Sequence, residues 1–62
     1  MSLGENVRKI REEKNMPQIE LAQKVGVTQA MICQIEKGIK TPSFPVMVEI
    51  ARALNCRTED FI

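Results

Sequence analysis

The stretch Leu21-Ala22-Gln23-Lys24-Val25-Gly26-Val27-Thr28 leaves almost no room between two helices. Leu21, Ala22 and Val25 have the spacing of a buried helical stripe. Gly26 follows at once, where glycine accepts a left-handed C-terminal cap cheaply, and Thr28 is a good N-cap for the next helix. Helices joined through so tight a turn cross at a steep angle, and the second is free to project from the body of the molecule. A chain of 62 residues buries only about 60% of the surface its unfolded form exposes, which leaves room for one modest core. A single domain spanning residues 1–62 is expected.

The flanking sequence reads as helix throughout. Leu3, Val7, Ile10 and Lys14 recur at helical spacing, and Asn15-Met16-Pro17 ends that first helix. Proline disfavours helical geometry in the residue before it and suits a first helical turn, so the second helix opens near Pro17 or Gln18. The third runs from about Gln29 to Lys37, buries Met31, Ile32 and Ile35, and stops at Gly38. Ile39-Lys40-Thr41-Pro42 is a loop. Ser43 then caps a fourth helix with an apolar stripe of Phe44, Met47, Ile50, Ala51 and Leu54. Asn55 suits a left-handed cap, and Thr58-Glu59-Asp60 opens a last turn that buries Phe61. The expected fold is all-α, a five-helix bundle with no strand.

Composition removes several classes of function. Histidine is absent and only Cys33 and Cys56 are available, too few for a zinc site or a disulfide framework. With no histidine, no glycine-rich phosphate loop and no paired carboxylates on a common wall, an enzyme is not expected, nor is a cofactor. No apolar run approaches the roughly 20 residues of a membrane span, and Met1-Ser2-Leu3-Gly4 lacks the apolar stretch of a signal peptide. A cytoplasmic protein is expected. The formal charge of +1 means that affinity for a polyanion would have to come from local placement. Lys24, Lys37 and Lys40 face only Glu36 between residues 24 and 48, whereas Glu12, Glu13, Glu49, Glu59 and Asp60 lie outside.

The third helix carries the most specific signal. Gln29, Ala30, Cys33, Gln34 and Lys37 share a face opposite Ile32 and Ile35. That face is polar but almost uncharged, and a glutamine amide pairs with the edge of adenine through one donor and one acceptor. Glutamines that serve only as soluble helix formers would give the same pattern. Cys33 on this face suggests an oxidation switch, against which stand the absence of a nearby histidine and its distance from the helix N-terminus. Cys56 and the methionines Met16, Met31 and Met47 read as packing.

The run from Pro17 to Gln29, followed by Ile32, Ile35-Glu36-Lys37-Gly38 and Pro42-Ser43, resembles the helix-turn-helix domain of phage repressors, Cro proteins and XRE-type regulators. The resemblance extends from Leu3 to Ile62 and implies a lambda-repressor-like bundle that binds double-stranded DNA and regulates transcription, as a repressor, in a prokaryote or phage. It places Thr28, Gln29, Ala30, Cys33 and Gln34 against base edges, and Gln18, Lys37, Lys40 and Thr41 against phosphate, with Gln18 also supporting Gln29. It pairs Arg11 with Glu36 across the first and third helices. If exposed, such a pair is worth at most about 1 kcal/mol; if buried, removing one partner costs about 3–5 kcal/mol. Relatives commonly bind a two-fold symmetric operator as homodimers, for which Arg57, Phe61, Ile62 and Val46 are the candidate contacts, with Phe61 and Ile62 equally open to a place in the core. Two departures stand out: Pro17 replaces the Ser or Thr that caps the second helix in relatives, and Ala30 offers only a methyl group. The same fold also serves antitoxins and other protein-interaction modules, or the DNA-reading head of a longer regulator.

Overall fold

The computed structural model describes residues 2–62, in which four α-helices are followed by one 3-10 turn and no strand occurs. The elements are α1 (Leu3–Glu13), α2 (Gln18–Val25), α3 (Gln29–Glu36), α4 (Phe44–Ala53) and the turn Thr58–Phe61. The expected fifth helix is therefore a correction. Four residues are too few to propagate an α-helix past its unfavourable nucleus, and the segment closes instead with tighter bonds from Asp60 N–H to the Arg57 carbonyl and from Ile62 N–H to that of Glu59.

Local chemistry sets the helix ends. Ser2 Oγ accepts from the Glu5 N–H at 3.2 Å while the Glu5 carboxylate accepts from the Ser2 N–H at 3.3 Å, a reciprocal capping box. The Ser2 N–H and, at 3.0 Å, the Ser2 hydroxyl both donate to the Glu5 carboxylate and hold it below its ordinary range. Thr28 and Ser43 cap α3 and α4 by accepting from Met31 and Val46 N–H. Helix α2 starts on Pro17 with no side-chain cap.

All four helices stop the same way, on a residue with left-handed backbone: Asn15, Gly26, Gly38 and Asn55. Behind each, a backbone N–H reaches back over the last turn, from Met16 to Arg11, Val27 to Ala22, Ile39 to Gln34 and Cys56 to Ala51. The first helix accordingly ends at Glu13, with Lys14 as its cap, and the third at Glu36, with Lys37 as its cap.

The core is small and draws on every element. Val7, Leu21, Ile32, Ile35, Ile50, Leu54 and Phe61 are fully enclosed, each burial stabilising by about 1.5–3 kcal/mol. Helix α2 packs against α3 and α4, whereas α1 packs against α3 and the final turn. Leu3, Ile10, Met16, Val25, Met31 and Met47 line its edge. Asn6 Nδ2 donates to the Phe61 carbonyl at 2.6 Å and ties the final turn to α1.

Phe44 departs from the expected stripe, with 69% of its surface exposed. It is the first residue of α4, and helical side chains lean toward the N-terminus, so its ring projects past the end of the core layer. Phe61, a candidate dimer contact, is instead wholly interior, while Ile62 is 92% exposed and Val46 half-buried.

At Gly4, α1 lies directly against the backbone at the end of α3. A Cβ there would run into the backbone carbonyl oxygens of Ile35 and Glu36, atoms that cannot rotate away. Gly4→Ala is expected to destabilise by about 1–3 kcal/mol, which for a chain of this size lowers Tm by roughly 5 °C or more. An unchanged melting curve would mean that α1 is free to slide on α3.

Candidate nucleic-acid interface

Helix α3 is held from below by both apolar and ionic contacts. Ile32 and Ile35 are buried in the core, and beside them the carboxylate of Glu36 is buried too, its side chain only 2% exposed. Arg11 reaches it from α1 with two donors, Nε to Oε2 at 2.6 Å and Nη2 to Oε1 at 3.2 Å. The fork geometry of guanidinium matches a carboxylate in this way. Arg11 Nη1 also donates to the Met16 carbonyl at 2.7 Å, and Gln18 Nε2 donates to Glu36 Oε1 at 2.9 Å. One carboxylate therefore joins α1, α2 and α3. No buried side-chain nitrogen or oxygen among the described residues lacks a partner, as a buried ion pair requires if desolvation is to be offset.

The outer face of α3 is what this anchoring leaves free. Thr28, Gln29, Ala30 and Gln34 are exposed, and Cys33 is half-buried, deeper than the residues around it. Thr28 Oγ1 accepts the Met31 N–H, so its hydroxyl is already tied to the cap. Lys37, Lys40 and Thr41 are exposed at the C-terminal end of α3. They gather there because the loop folds back: the Gln34 carbonyl accepts from both Ile39 and Lys40 N–H, and Pro42, next in the chain after Thr41, is buried. Positive charge at that end complements the helix dipole.

Gln18, at the start of α2, is engaged from within the protein. Its bond is to Glu36, and a bond to Gln29 is not found among the described residues. It is half-buried, with its second N–H and its carbonyl oxygen unspent in this bond. The Cys56 thiol is pushed up by burial, with Asp60 adding to the shift and Lys14 opposing it, so it is a poor nucleophile.

Three structural residues escaped the sequence reading. Gly4 opens the buried face continued by Val7 and Arg11, and a glycine at such an inward position is itself a signal of close approach. Asn6 carries no local signal, because its partner, the Phe61 carbonyl, comes from the far end of the chain, and Pro42 reads locally as a loop residue although it is buried.

Two short helices, a left-handed glycine between them and a second helix with a free polar face make α2 and α3 a helix-turn-helix. A helix-turn-helix family pattern matches residues 7–61. The chain belongs to this family, the one its central motif resembles. It is 44% identical over 54 residues to an uncharacterised HTH-type transcriptional regulator of Archaeoglobus fulgidus, covering 87% of this chain and 77% of that one. Among solved structures it resembles the P22 c2 repressor in complex with synthetic operator 9T, with TM-score 0.94 and 26% identity over 100% of this chain and 94% of that one. It is also similar to SinR, a master regulator for biofilm formation solved in complex with DNA, with TM-score 0.89 and 27% identity over 95% of each chain.

The ionic centre makes a sharp energetic prediction. Glu36→Gln leaves the Arg11 guanidinium buried without a counter-charge and is expected to destabilise by about 3–5 kcal/mol in denaturant unfolding. Replacing both partners with apolar residues, Arg11→Met with Glu36→Leu, should be less damaging than the sum of the single changes. Strict additivity would mean that the two side chains act independently.

Proposed function

We propose that the protein is a sequence-specific DNA-binding transcription regulator, acting as a repressor, that places α3 in the major groove. The observation that carries this reading is the outer face of α3, exposed and polar but nearly uncharged, on a helix anchored from beneath by Ile32, Ile35 and Glu36. The two relatives solved with operator or DNA support it. No histidine-, cysteine- or carboxylate-based metal cluster occurs among the described residues, and none of their helices is long and apolar enough to cross a membrane.

The roles divide by chemistry. Gln29 and Gln34 carry amides suited to adenine, and Ala30 suits the methyl group of thymine. Cys33, half-buried, contributes contact area, and Thr28 sets the helix start while presenting its remaining hydroxyl capacity. Lys37, Lys40 and Thr41, with the spare N–H of Gln18, are directed to phosphate and set affinity more than sequence choice. Residues 1–62 act as a single domain. With a net charge of only +1, binding through one copy is modest, and two copies on a two-fold site place their recognition helices about 34 Å apart. Arg57 and Ile62, exposed beside the buried Phe61, are the proposed homodimer contact.

Selection from random duplexes tests the assignment. One enriched motif is expected, and Gln29→Ala should relax it at one base pair, with a loss of about 1–3 kcal/mol in discrimination. Lys40→Ala should weaken all duplexes alike and flatten the salt dependence by about one unit. Enrichment of no sequence would defeat the proposal, and a steeper salt slope would remove Lys40 from the phosphate set.

A further inference from the structure

Asparagine is a poor choice inside a helix, because its short amide competes for nearby backbone groups, yet Asn6 stands within α1. Its amide is engaged elsewhere: Nδ2 donates to the Phe61 carbonyl at 2.6 Å, across 55 positions of sequence. The acceptor belongs to the four-residue turn Thr58–Phe61, which is too short to hold a direction by itself. Burial of the Phe61 ring pins that turn to the core, but apolar contact is non-directional and sets the tilt of the turn only weakly. A directional bond at the Phe61 carbonyl is a second attachment, and with two attachments the tilt is fixed.

The tilt matters because Arg57 and Ile62, the contact proposed above for a second copy, flank this turn and are exposed. From there to the reading face runs a chain of directional or unyielding contacts. The turn is bonded to α1 at Asn6, and α1 is fixed on α3 by the close approach at Gly4 and by the pair of Arg11 with Glu36. On a two-fold site, tilting the contact surface changes the distance and the rotation between the two recognition helices. One base pair corresponds to about 3.4 Å along the duplex and about 35° around it, so a small tilt counts. We infer that Asn6 is a positioning residue of the paired, DNA-bound protein: its bond to the Phe61 carbonyl sets the half-site spacing that two copies accept, while the reading of each half-site stays with α3. The inference rests on the two-copy DNA-binding reading above and goes beyond it, since it assigns spacing to a residue outside the helix-turn-helix.

Two measurements test it. In the free protein, the side-chain amide protons of Asn6 should exchange with water more slowly than those of the exposed Asn15 and Asn55. On DNA, affinity is measured for duplexes that carry the selected half-site once, or twice in two-fold arrangement at the preferred spacing and at one base pair more or less. The wild type should lose about tenfold when the spacing changes by one base pair, because the second copy then engages poorly. Asn6→Ala, and Asn6→Asp with an acceptor where the donor was, should differ by less than about threefold across the three spacings and bind the single half-site within about twofold of wild type. A spacing preference as sharp as that of the wild type in either folded variant overturns the inference and leaves the two-copy reading intact, as does equal exchange at all three asparagines. Parallel loss on the single half-site, or failure of both variants to fold, makes the bond structural only and overturns it as well. A wild type indifferent to spacing removes the two-copy reading and the inference together. A wild type that selects no duplex defeats DNA binding itself, while the exchange measurement still reports on the bond.

Discussion

The buried pair of Arg11 and Glu36 is the interaction on which the arrangement of the other helices depends. Two opposite charges taken out of water gain little net stability, because desolvation offsets most of their attraction. What they supply is intolerance of alternatives. Any packing that separates them leaves a charge buried and alone, and the further bonds to the Met16 carbonyl and from Gln18 extend that condition to the first turn and to α2. In a core with seven fully enclosed large side chains among the described residues, apolar contacts alone would be met nearly as well by small shifts of one helix on another. The ion pair makes one of those packings distinct.

The recognition helix benefits most from this. A helix of 8 residues is far below the length at which helices persist in water by themselves. Helix α3 exists because its start is capped by Thr28, its end is closed over Gly38, and its inner face is fixed at Ile32, Ile35 and Glu36. The close approach of Gly4 to the carbonyls of Ile35 and Glu36 brings α1 down on the same end. Rigidity beneath and polarity above are the conditions under which uncharged amides become selective, since each must meet a base edge without first being ordered.

How much of this was legible in the chain follows from the range of the forces involved. Caps and stops act over three or four residues, so Thr28, Ser43, Gly26, Gly38 and Asn55 announce their helix ends directly. Periodicity marks which side of a helix is inward but not how far along its axis the core extends. Phe44 keeps the correct angular position yet lies beyond the core and remains exposed, whereas Phe61 is drawn wholly inside by α1 and α4. The final segment signalled its turn and its buried ring correctly, but its four residues adopt 3-10 rather than α-helical geometry. The pairing of Arg11 with Glu36 came from family likeness; composition says only that both are charged.

The amino-acid sequence by itself determined the helices, their order, the tight turn between the second and third, and the face on which glutamines stand. Each of these depends on neighbours within one or two helical turns. Tertiary structure alone decided that Glu36 would be enclosed, that Gln18 would donate to Glu36, and that Gly4 would meet the backbone of α3. Those outcomes join residues separated by 25, 18 and about 31 positions. At such separations no local preference acts, and the hydrogen-bonding demands of a buried carboxylate choose the partners.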